Sequence, residues 1–168
     1  MPSLVSRRAG SLVLCAAALG ACGGSTAGAS PVDAAFATKA LAVCTQAGKE
    51  QAAWAAFPAG SFDPVHPDAA KLAQVGTWLE VSVLPTFDHW QTGLAALGTP
   101  AAGAAAWAPV VAGVAQTADL ARDQIAAAKA GDPTAFAAAT VKLQAAHTRF
   151  LTDAKAAGVE ACGDIVRG

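Results

Sequence analysis

The chain has 168 residues, 54% of them hydrophobic and 14% charged, with a formal net charge of −1. That length suits one domain with a real core. The faint acidity and the lack of any basic run exclude nucleic acid as a natural partner, and exclude an electrostatic hold on anionic lipid.

The first signal is at the start. Arg7 and Arg8 precede an apolar run from Leu12 to Leu19, which ends in Leu19-Gly20-Ala21-Cys22. A charged segment, a short apolar segment and small residues before a cysteine form a lipoprotein leader. The run falls well short of the roughly 20 apolar residues that span a bilayer. Residues 1–21 are expected to be removed as a signal peptide, and Cys22 to carry the lipid (diacylglycerol and palmitate). The protein is then exported and anchored to the outer face of the cytoplasmic membrane, with the membrane as its first partner. Ser6-Arg7-Arg8 also hints at twin-arginine export, although Gly10 stands where that signal prefers a bulky residue. Residues 22–30 form a flexible tether, whose Gly/Ser-rich part reaches about 15 Å.

Of 11 basic residues, Arg7 and Arg8 leave with the leader, so nine remain against 12 acidic ones. Of four cysteines, Cys15 leaves and Cys22 is acylated. Cys44 and Cys162 remain, and in an oxidising compartment two leftover cysteines read as one disulfide.

Four helical patterns follow over residues 31–168. The first opens at Ser30-Pro31, carries Phe36, Ala40, Cys44, Ala47 and Trp54 on one face, and stops at Phe57-Pro58. Pro58 to Pro67 reads as a stiff, structured loop. The second helix, Pro67 to Leu97, has the strongest periodicity: Leu72, Val75, Leu79, Val83, Phe87, Trp90 and Leu94 step by three or four. Pro85 inside it predicts a kink. The third runs from about Ala101 to Ala130 with a seam of Trp107, Val111, Val114, Ala118, Ala121 and Ile125, and an internal Pro109. Asp132-Pro133 opens the fourth, which carries Phe136, Leu143, His147 and Phe150 to Gly158. The tail, taken as extended, must fold back for Cys162 to reach Cys44. No strand pattern competes. The expected fold is all-α: an antiparallel up-down four-helix bundle with kinked helices and one disulfide.

The chain resembles a group of uncharacterised secreted lipoproteins of actinobacteria. The early helix with Cys44, Phe57-Pro58 through Phe62-Asp63-Pro64 to Pro67-Asp68, the Leu97-Gly98-Thr99-Pro100 turn and the Gly158-Val159…Cys162 ending carry the resemblance. It implies an envelope location, a helical bundle and the same bridge, but no activity.

Candidate chemistry is thin. Beyond the tether the only serines are Ser61 and Ser82, without a nucleophile-elbow context, and Glu occurs only at 50, 80 and 160. No catalytic residues and no enzyme are therefore expected. The role expected is non-catalytic: binding an envelope protein or a small apolar ligand, with no cofactor and no metal. The alternative is a small haem or metal binder using His89 and His147, which helix rise places at similar heights. His66, Asp63, Asp68 and Asp132 gather near one end, as calcium ligands or as turn and cap residues. Trp90 and Trp107 lie near the two internal prolines and either line a groove or fill space. The loop residues Phe62, Val65 and His66 are the candidate binding loop, or else Phe57 and Phe62 plug the end of the bundle.

Overall fold

The computed structural model of the protein describes residues 30–57, 60 and 62–166. The leader, Cys22 and residues 23–29 of the tether lie outside this range. Every regular element among the described residues is helical: α1 (Ala34–Ala52), α2 (Ala69–Trp78), a π-turn (Leu79–Val83), α3 (Leu84–Ala96), α4 (Ala104–Lys129), α5 (Pro133–Ala156) and a C-terminal 3-10 helix (Glu160–Val166). None is long and apolar enough to cross a membrane.

Three aspartates start three helices. Asp33, Asp68 and Asp132 accept hydrogen bonds from the backbone N–H groups of Phe36, Ala70 and Ala135, each at 2.9 Å. Such a cap is worth about 1 kcal/mol. The first helix therefore begins at Ala34, not at Pro31. The preceding segment is held elsewhere: Val32 N–H donates to the Ala157 carbonyl at the end of α5, 3.1 Å away. That helix also ends at Ala52, five residues short of Phe57, so Trp54 stands outside it.

The second long helix is continuous but not uniform. Its middle widens into the π-turn, where Leu84 N–H reaches back five residues to the Leu79 carbonyl. Pro85 is the cause. It has no N–H to give and its ring clashes with the carbonyl four residues earlier, so the chain inserts one residue just upstream.

Gly103 precedes α4 in the left-handed region, with φ +78°. A Cβ there would lie 2.5 Å from the Pro31 carbonyl carbon and oxygen. The α3–α4 turn thus packs backbone to backbone on the start of α1. On α4, Val110 and Val114 take the fully buried seam and Val111 only its edge. At the end of α5, Val159 N–H bonds the Ala154 carbonyl and Gly158 N–H the Lys155 carbonyl, at 2.9 and 3.1 Å. This double bond pattern, with Gly158 at φ +76°, turns the chain sharply. The tail is accordingly a tight 3-10 helix, not an extended strand. It packs on both α1 and α5 and brings Cys162 to Cys44 with Cα atoms 5.1 Å apart, bonded as a disulfide.

α4 is the central element, packed on α2, α3 and most extensively on α5, while α1 packs on α3 and the tail helix. The larger core includes Trp90, Leu94, Val110, Val114 and Phe150, with Phe36 edge-on to Trp107 at 4.9 Å. A smaller core joins Leu72, Val75, Ala128 and Phe136.

Candidate functional site

The π-turn forms one wall of a cavity. Leu79 and Val83, its first and last residues, line about 160 Å³ of space together with Trp54, Trp78, Phe87, Ala121, Gln124, Ile125, Leu143 and Gln51. Four stretches of chain meet here: the end of α1 with the residues after it, the π-turn with its flanks, α4 and α5. π-turns concentrate at functional sites, because an inserted residue re-aims the side chains around it.

Three aromatic rings shape the space. Trp54 stands perpendicular to Trp78, with centroids 6.0 Å apart, and edge-on to Phe87 at 6.4 Å. Both indole N–H groups are already used: Trp54 Nε1 donates to Thr86 Oγ1 at 2.9 Å and Trp78 Nε1 to the Ala55 carbonyl at 2.8 Å. These bonds fix the rings and leave only carbon toward the cavity. No wall residue is ionisable. The polar atoms belong to Gln51 and to Gln124, which is buried on α4 and donates from Nε2 to Thr140 Oγ1 at 2.8 Å.

A second, larger and more open groove of about 370 Å³ separates α1 from α3, lined by Val43, Gln46, Ala47, Glu50, His89, Trp90 and Gly93 among others. Glu50 accepts from Gln46 Nε2 on one oxygen and pairs with His89 Nδ1 on the other, both at 3.1 Å. The His89 side chain is 71% exposed. His147 is half-buried on α5 and does not line this groove. The two histidines of the haem reading are thus placed in different settings. Among the described residues no three His, Cys, Asp or Glu side chains gather to hold a metal ion.

The two tryptophans near the prolines separate. Trp90 floors the α1/α3 groove, and its buried Nε1 meets no acceptor. Trp107 is buried against Phe36 and donates to the Gly98 carbonyl at 3.2 Å. The candidate binding loop also divides. Phe62 packs on Phe57 and on Phe136, each at 5.7 Å, so it caps the smaller core. Val65 and His66 remain exposed. Asp68 and Asp132 are used as helix caps, and Asp63 organises a turn. Its Oδ1 accepts from the N–H groups of Val65 and His66, at 2.8 and 3.1 Å, and its Oδ2 faces His66 Nδ1 at 2.9 Å.

The His66 ring, followed by the two backbone N–H groups, holds the Asp63 carboxyl below its ordinary value of 3.8. A carboxylate held low favours the folded turn above the usual carboxylate range, and that help is lost as pH falls through the lowered value. We therefore expect the Val65 and His66 amide resonances to titrate together with a midpoint below 3.8. Asp63→Ala abolishes the transition. Amide shifts that stay constant through that acid range would contradict the turn.

The sequence reading places Trp54 on the apolar face of the first helix and not at a site, and it names neither Gln124 nor Gln51. Gln124 had a signal: it stands three residues after Ala121 and four before Ala128, on the buried side of α4. The π-turn had one too, since Val75, Leu79, Val83 and Phe87 step by four each time, wider than the 3.6 of an α-helix.

In comparisons with known proteins, no family model, curated protein or solved structure matches the chain.

Proposed function

We propose that this is a lipid-anchored lipoprotein of the bacterial cell envelope, of the actinobacterial kind its motifs resemble, with a non-catalytic role: holding a small apolar ligand in the cavity beside the π-turn. The cavity itself carries the reading. It is walled by three aromatic rings, two of them fixed by hydrogen bonds, has no ionisable wall residue and lies against an irregular turn. Binding sites are mostly apolar concavities with a few placed polar groups, which is this composition. The leader and Leu19-Gly20-Ala21-Cys22 support export and acylation of Cys22.

In this reading the helices run alternately up and down. Support comes from contacts at the two ends. The start of α1 meets both the α3–α4 turn at Gly103 and the end of α5 at Ala157. Opposite, the segment after α1 meets α2 through Trp78 and Ala55, and Phe62 meets Phe136 near the start of α5. The tether then leaves the domain beside the α3–α4 turn, and the cavity belongs to the half nearer the other end.

Filling the space tests the reading. Ala121 is buried in the wall. Ala121→Leu adds three carbons there and should leave stability within about 1 kcal/mol, since empty volume absorbs them. In the original chain a small aromatic such as toluene should raise the melting temperature and quench tryptophan emission saturably. At a hundredfold excess over Kd the stabilisation is about 2.7 kcal/mol. In Ala121→Leu both responses should vanish. Equal responses in the two proteins would remove the cavity from consideration. Mass spectrometry of the amino terminus tests the anchor: an unacylated Cys22 in membrane fractions would overturn it.

A further inference from the structure

Resting on the cavity reading above, we infer that the ligand is a phenol: one neutral aromatic ring bearing a hydroxyl, bound with that hydroxyl on the side-chain amide of Gln124.

Hydrogen-bond bookkeeping at Thr140 orients the amide. The Thr140 hydroxyl has one proton, and it goes to the Phe136 carbonyl at 3.0 Å. The hydroxyl can then only accept from Gln124, 2.8 Å away, so the group facing it is the NH₂. The carbonyl oxygen is the other arm of the same planar amide. No donor among the described residues meets Gln124 Oε1. Gln124 lines the cavity and is only 8% exposed, so an oxygen with no protein donor stands at a nearly buried wall. A nearly buried acceptor on a wall whose other polar side chain is Gln51 favours a ligand that brings a donor, because a ligand without one would strip its water and return nothing.

Three constraints narrow the donor's carrier. First, size: the space is about 160 Å³, opens to solvent along a half-buried rim and takes one ring, since an enclosed apolar cavity of about 150 Å³ already holds benzene. Second, charge: with no ionisable wall residue, an ammonium or carboxylate would lose hydration without compensation. Third, shape and polarity: perpendicular Trp54 and Trp78 suit a flat ring packed edge to face. The remaining amide proton of Gln124 also favours a hydroxyl over a pure donor, since the hydroxyl keeps lone pairs for it.

The test compares phenol with toluene, which has the same size and no donor, using the full chain with Cys22→Ala to avoid the acyl group. Saturable binding is followed by tryptophan fluorescence and calorimetry. Phenol should bind at least tenfold tighter than toluene. Gln124→Leu should cut phenol affinity by about tenfold and leave toluene binding intact or stronger. Thr140→Val, which frees the amide to flip, should narrow the preference while Gln124 is still present. Equal affinities in the original chain would overturn the phenol assignment and leave the cavity standing, whatever the variants do. Saturable binding of neither compound by the folded protein would overturn both.

Discussion

Replacing Cys44 and Cys162 with alanine should lower the unfolding free energy by about 4–5 kcal/mol and the melting temperature by about 10–15 °C. The bridge spans 118 residues of sequence, nearly the whole folded part. In the chain-entropy account, closing so long a loop removes much of the freedom of the unfolded chain. The native position gives a second reason. Both cysteines are buried, and the tail helix lies between α1 and α5. Without the covalent link, a seven-residue helix must hold that position by packing alone. Urea unfolding of the double variant, and of the parent in reductant, measures the loss. A change under 1 kcal/mol would mean that the tail docks without help and that the bridge adds nothing.

The second large effect is expected at Gly103. Gly103→Ala should cost about 3 kcal/mol. A residue with a Cβ loses roughly 1–2 kcal/mol in the left-handed region. The new atom would also sit 2.5 Å from the Pro31 carbonyl and 2.6 Å from Val32 N, so backbone must move. Moving it strains the Val32–Ala157 hydrogen bond, worth about 1 kcal/mol. Gly98 provides the control. It has a similar φ of +72°, yet a Cβ there meets nothing within 4 Å. Gly98→Ala should therefore show the conformational cost alone. If the two substitutions cost the same in urea titrations, the close contact between the α3–α4 turn and the start of α1 is refuted.

Much of the helical plan was legible because it depends on local chemistry. Asp132-Pro133 and Asp68 announce helix starts through a carboxylate that satisfies a free N–H, and the structure uses both that way. The cysteine pair followed from counting. Misreadings came where a tertiary contact overrides a local preference. Ser30-Pro31 is a fair helix start by itself, but Val32 N–H is held by Ala157, 125 positions later in sequence, and Asp33 takes over as cap. Ala101 looked like the first residue of α4, but the close approach of Gly103 to Pro31 delays it to Ala104. Pro85 predicts a kink, and the irregularity the chain adopts there is a wide turn just upstream of it. The cavity was hidden for a similar reason. Its walls come from four separate stretches, and its buried polar residue, Gln124, resembles a surface glutamine until its neighbours are known.

The tail helix has a consequence for the order in which the domain can be completed. α1 is synthesised well before Glu160–Val166, yet the face of α1 around Cys44 is covered by that later segment. A chain that appears from its amino terminus, at a ribosome or a translocation pore, keeps this face bare until Cys162 and its helix emerge. No precursor that stops short of Cys162 can seal the domain. Closure is gated by arrival of that segment, and a nascent or stalled chain presents an apolar helix face and a free thiol to whatever chaperone or oxidant is nearby.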